Sequence, residues 1–229
     1  MPSWFTHLAT ATELMKKLDV DDKNAFLIGS LMPDAERYVV KDFSIRVPYC
    51  DSHFSSYQDV CGTQEILPDV DKFLYYYKNK LNNPAVLGYL VHLLTDFYWN
   101  NLTYARYTLR DENKGFLGIR LNDGTKINCE RFERSKTKFV DFAIFEESFI
   151  KSGNYILPHF NDGLIKKTSV IKEVPYNSED IKKMITFCEN KSKKYEDFGV
   201  YKLFTEDEIE KDYKNSIEFI LNFLKQINT

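Results

Sequence analysis

Apolar positions recur with the period of a helix along most of this chain. Between residues 5 and 18, Leu8, Ala11, Leu14, Met15 and Leu18 follow the i, i+3, i+4, i+7 spacing that gathers side chains on one helical face. His7 heads that stripe, so its ring points inward with Ala11 and Leu14. A second helix is predicted over about residues 22–32, carrying Ala25, Phe26, Ile28 and Leu31 until Pro33 stops it. Helical spacing returns in "PDVDKFLYYYKNKL" and breaks at "NNP". It resumes through "AVLGYLVHLLTDFYWNNLTYARYTL", with Pro84 suited to the first helical turn. A long helix follows over about residues 131–151. Two amphipathic helices end the chain, at about 178–194 and 206–227. Asn177 with Asp180, and Thr205 with Glu208, form capping boxes at their starts.

Three stretches break the helical period. Residues 40–67 keep neither period 2 nor period 3.6 for long and read as a structured loop. The run "FLGIRLNDGTKINC" turns β-prone around Asn122-Asp123-Gly124, a hairpin signal. Residues 153–176 are irregular. With no internal repeat and no linker-like shift in composition, the expected architecture is all-α: one multi-helix domain over 1–229 with a small β-hairpin excursion near 116–129.

Composition narrows the function classes. The 229 residues suffice for a real core, and 43% hydrophobic with 28% charged residues is globular composition. A net charge of -3 supplies no basic footprint, so no nucleic-acid partner is expected. No run reaches the roughly 18 apolar residues of a transmembrane segment. The start "MPSWFTHLAT" lacks a charged region followed by an apolar one, so no secretory signal is read. Cys50, Cys61, Cys129 and Cys188 form no C-x-x-C pair and read as reduced, buried thiols. The expected location is the cytoplasm.

One apolar stretch carries chemistry. In "LGYLVHLLTDFYWNN", Leu87, Leu90, Leu94 and Phe97 share one side of the helix, while Gly88, His92, Asp96 and Trp99 share the other. His92 and Asp96, four residues apart, aim an imidazole nitrogen and a carboxylate at one point, as a helical metal site requires. An intrahelical hydrogen bond is the simpler use of such a pair. Gly88, one turn earlier, removes a side chain where something must approach. The chain has only four histidines. His7 lies on an inward face and His53 in the irregular loop. Asp34, in "LMPDAE", follows the C-terminal end of an apolar helix, where the helix dipole disfavours a carboxylate. His159, in "ILPHFNDG", has no geometric link to the others and reads as structural or surface.

The order of His7, "GSLMPD" ending at Asp34, "SHF" at His53 and "LGYLVHLLTD" at His92 and Asp96 resembles the zinc-dependent phospholipase C family. The resemblance covers about residues 3–101, and more loosely 131–151. It implies an all-α fold in which His7, Asp34, His53, His92 and Asp96 ligate metal for phosphoester hydrolysis. Secreted members of that family use a free N-terminal tryptophan as a further ligand, whereas Trp4 here follows Met1-Pro2-Ser3. A further histidine is expected five or six residues after the helical aspartate, where this chain has Asn101 and Leu102. A later acidic ligand is also expected; Asp141 in "TKFVDFAIFEE" is the candidate, with Glu146 or Glu147 as substitutes. This thinner cluster implies one or two metal ions rather than three.

Mixed histidine and carboxylate donors suit zinc, with manganese or iron also compatible. Such ions lower the pKa of a bound water and clamp the oxygens of a phosphoester. Asp51 or Asp141 is the candidate proton acceptor, and a small phosphoester or phospholipid headgroup the expected substrate. Two other readings stay open. One is a non-catalytic binding or scaffold protein with a degraded site. The other is a nucleotide phosphohydrolase of the HD type, although the adjacent His-Asp pair of that class does not occur.

Overall fold

The computed structural model describes residues 2–35, 47–194 and 196–227. They are mostly helical: α1 (Trp4–Leu14), α2 (Lys23–Gly29), α3 (Tyr49–Ser52), α4 (Val70–Tyr77), α5 (Pro84–Tyr107), α6 (Arg131–Ser152), α7 (Gly163–Thr168), α8 (Ser178–Lys191) and α9 (Glu206–Ile227). A 3-10 turn, Met32–Asp34, follows α2. Two small antiparallel sheets accompany the helices: β1 (Ser56–Val60) with β2 (Thr63–Leu67), and β3 (Thr108–Arg110) with β4 (Phe116–Arg120) and β5 (Lys126–Asn128).

Local signals set most of the helix ends. Asp22 caps α2 by accepting from the Ala25 N–H, and Asn83 caps α5 by accepting from Ala85, with Pro84 in the first turn. Both capping boxes form as the spacing predicts. Helix α1 ends earlier than its apolar stripe. Beyond Leu14 the backbone tightens, the Lys16 and Lys17 N–H groups bonding to the carbonyls three residues back.

The expected loop at 40–67 holds regular structure, apart from residues 40–46, which lie outside the described residues. Cys61 and Gly62, both at positive φ, make the two-residue turn of the β1–β2 hairpin. Its inward positions on β2 are Thr63, Glu65 and Leu67, so polar residues hide the alternation of buried and exposed sites. The hairpin expected near 116–129 is β4–β5, with β3 added on the far edge of β4. The irregular stretch at 153–176 contains the short helix α7. Of the four thiols only Cys188 is buried; Cys50 and Cys61 are exposed, contrary to the expectation for all four.

Two glycines decide how the central helices meet. A Cβ on Gly88 of α5 would lie 2.0 Å from the Phe26 carbonyl oxygen of α2, and one on Gly29 would lie 2.1 Å from the Ala85 oxygen. The thing that approaches Gly88 is therefore the backbone of α2. Contact at that range presses α2, and with it the turn carrying Asp34, against the N-terminal turns of α5. Both sides of α5 are buried here: Leu90 and Leu94 on the apolar side and Gly88, His92 and Asp96 on the polar one, while Leu87 and Phe97 keep some exposure. The main core gathers around α1, α2, α4, α5, α8 and α9; a second apolar cluster joins Trp99 of α5 to Phe142 and Phe145 of α6 and to Phe204.

Candidate metal centre

Four separate segments bring His7 (α1), Asp34 (3-10 turn), His53 (after α3), and His92 and Asp96 (α5) into one buried cluster. None of the five is more than 1% exposed. His7 Nε2 lies 3.4 Å from Asp96 Oδ1, and His53 Nε2 lies 3.4 Å from both Asp34 Oδ1 and Asp96 Oδ2. His92 Nε2 lies 3.2 Å from His53 Nε2 and 3.8 Å from Asp96 Oδ2. The His7 and His92 rings stack with centroids 3.8 Å apart. Two three-residue groups could each surround an ion, His7–His92–Asp96 and Asp34–His53–His92.

These separations are long for charge-assisted hydrogen bonds, which run about 2.7–2.9 Å. They match the edges of a coordination shell instead, since tetrahedral donors about 2.0–2.1 Å from an ion stand about 3.3–3.4 Å apart. Neither ring nitrogen of His7 and neither oxygen of Asp96 has a hydrogen-bond partner among the described residues. Two carboxylates inside a dry core are costly without a cation. The residues present fit a divalent ion.

The outer contacts fix which nitrogens face inward. His92 Nδ1 lies 2.8 Å from the Ser30 carbonyl oxygen, a pure acceptor, so Nδ1 carries the hydrogen and Nε2 presents its lone pair. Burial and the neighbouring His7 push the His92 pKa down to about 3, so this imidazole is neutral. His53 Nδ1 pairs with Ser52 Oγ at 2.9 Å. Burial opposes charge on His53, but Asp34 and Asp96 outweigh it and raise its pKa. Burial likewise opposes ionisation of the two aspartates, yet His53 with the other imidazoles holds both below the usual carboxylate range. The cluster thus keeps its carboxylates ionised.

The other predicted residues stand apart. Asp141 accepts the backbone N–H groups of Lys202, Leu203 and Phe204 at 2.7, 2.7 and 2.9 Å, which anchors the chain entering α9 and occupies both oxygens. Asp51 is exposed on α3. Glu146 accepts the Phe5 N–H at 3.1 Å and pairs with Lys191, steadying the first turn of the helix that carries His7. Leu102 packs into the second apolar cluster, and Asn101 is half-buried. The His159 side chain is exposed.

A cleft of about 700 Å³ opens beside the cluster, walled by Tyr49, Tyr57, Asn100, Arg131, Arg134 and Lys138 among others. Tyr49 stacks on His53 with centroids 4.0 Å apart. Asn100 follows Asp96 by one turn of α5, about 6 Å along the axis. The sequence reading missed these cations. Their spacing of i, i+3, i+7 on α6 was the available signal, because it places three positive side chains on one helical face.

Comparison with family models, curated proteins and solved structures finds no match to this chain.

Proposed function

We propose that this chain is a metal-dependent phosphoester hydrolase of the phospholipase C type, with His7, Asp34, His53, His92 and Asp96 holding one or two divalent ions. The reading is carried by the five buried donors, spaced as edges of a shared shell with the Asp96 oxygens otherwise unsatisfied. Zinc suits the nitrogen and oxygen donors, with manganese and iron compatible. A bound ion of this kind activates water near neutral pH and neutralises charge on a phosphoester oxygen. The chain's own residues orient and enclose: Ser30 and Ser52 aim the two imidazoles, and Tyr49 separates the donors from the cleft. The cleft suits a small phosphoester. Among the described residues no helix is long and apolar enough to cross a membrane.

A second reading, a metal-binding protein without turnover, is favoured by one observation: every donor is at most 1% exposed. Metal content of protein purified without chelators, followed by hydrolysis of a nitrophenyl phosphodiester with added zinc or manganese, separates the two. About one or two ions per chain with turnover supports the hydrolase. Metal without turnover supports the second reading, and absence of metal that added zinc does not remedy sinks both.

A further inference from the structure

Lys138 and Arg134 are each 2% exposed, yet both line the cleft beside the cluster. A buried cation normally sits against a carboxylate. Among the described residues Glu65 is the only carboxylate in the cleft wall, and both Arg134 and Arg131 already use it. Arg134 reaches its two oxygens at 2.7 Å, and Arg131 reaches Oε2 at 2.8 Å. Lys138 has no carboxylate within ion-pair distance among the described residues; its ammonium bonds to the Asn100 side-chain oxygen and lies 4.9 Å from the centre of the Tyr104 ring. Arg134 Nε is buried with no hydrogen-bond partner. Among the described residues the wall therefore holds three cations and one carboxylate, an excess of two positive charges shared by the buried Lys138 and the half-exposed Arg131, around a space large enough for a small molecule. Around its mouth Tyr57, Ile66 and Phe139 are 72%, 45% and 48% exposed, an apolar rim above the charged floor.

We propose that this cleft binds the phosphoryl group of an organic phosphomonoester, with Lys138 and Arg134 Nε as its donors and the apolar rim against its organic part. A phosphomonoester carries close to two negative charges at neutral pH, which matches that excess. The subsite stands on the cleft alone and does not require the metal reading. Where both hold, it selects substrates with a second anionic group beyond the bond that is cleaved.

Phenylphosphonate, whose carbon–phosphorus bond resists hydrolysis, is the probe, with binding followed by calorimetry on the protein as purified. It should bind saturably and more tightly than inorganic phosphate. Lys138→Met, close in shape, should weaken binding about tenfold or more, the scale of a lost charge-assisted hydrogen bond. Its melting temperature should hold or rise, because an uncompensated buried charge is removed. Ser135→Glu, at an exposed cleft position that tolerates change, should weaken binding by repulsion and covers the case in which Lys138→Met fails to fold. Asp96→Asn should leave binding within about threefold, because none of the five cluster residues lines the cleft. The proposal is overturned if wild-type protein does not bind the probe. It is equally overturned if binding survives Lys138→Met and Ser135→Glu but is lost in Asp96→Asn, since the anion would then sit on the metal cluster.

Discussion

The Nε2 atoms of His53 and His92 face each other at 3.2 Å, while the Nδ1 atom of each ring is held by an oxygen outside the cluster. With His92 neutral and its hydrogen on Nδ1, its Nε2 has only a lone pair to offer. Without metal the facing position can be filled by a proton on His53 Nε2; in the proposed metal site an ion would replace that proton. Removing metal with a chelator should therefore lower the melting temperature. For an ion at about 100 times its dissociation constant the shift is about 5–10 °C. An unchanged melting curve in protein that never held metal would point away from a shared ion.

Asp96 touches all three histidines of the cluster, so it is the carboxylate on which the affinity of the proposed metal site would depend most. Asp96→Asn keeps the shape and removes the charge. It should weaken zinc binding more than about 100-fold, beyond the loss typical of a supporting residue. Retention of full metal content, read by elemental analysis after gel filtration, would show that Asp96 serves only to pair with the imidazoles.

Gly88→Ala tests the backbone contact. The added methyl must displace the Phe26 carbonyl, so a cost of about 1–3 kcal/mol is expected. The Ser30 carbonyl moves with α2, and zinc affinity should fall about tenfold as His92 loses its orientation. Denaturant melts and a zinc titration read the two effects separately. A variant as stable as wild type would refute the close packing.

Asp141 anchors three backbone N–H groups and no cluster atom. Asp141→Ala leaves those groups unbonded and should destabilise the protein by about 2–5 kcal/mol. Zinc stoichiometry of the folded fraction should be unchanged. Loss of metal with no loss of stability would restore Asp141 to the site.

Asp22 gives a pH test away from the metal. Burial raises its pKa, but Lys167 and the Ala25 N–H outweigh that and hold it below its ordinary 3.8. A lowered folded value contributes stability above the unfolded pKa that disappears as pH falls through the folded one. Asp22→Asn keeps the cap and loses the ion pair. It should be less stable than wild type at pH 7 by under about 1 kcal/mol, because water screens the pair. The two should melt together near pH 2. A gap that persists there would assign the difference to the cap.

What the chain revealed depended on how local each signal is. The order from His7 to Asp96 was readable because two of the donors share a helix and the others sit at ends of apolar stretches. That Asp34 and His53 come within 3.4 Å was not, since neither periodicity nor capping reports on contacts between distant segments. Glu65 shows the difficulty most plainly. As the inward residue of β2 it reads like a loop residue, and only its pairing with Arg134 and Arg131 explains its burial. Asp141 misled for a related reason: apolar neighbours signalled burial correctly, but burial alone does not say whether a carboxylate serves chemistry or backbone.

All five residues of the proposed metal site occur within the first 96 of 229 residues. During synthesis they leave the ribosome before α6, α8 and α9 exist. An ion captured at that stage would tie four distant stretches of nascent chain together, shrinking the conformations open to them much as a cross-link does. The C-terminal helices would then assemble on an N-terminal half already held in register. Metal supply during translation, and not only afterwards, would set how much folded protein a cell obtains.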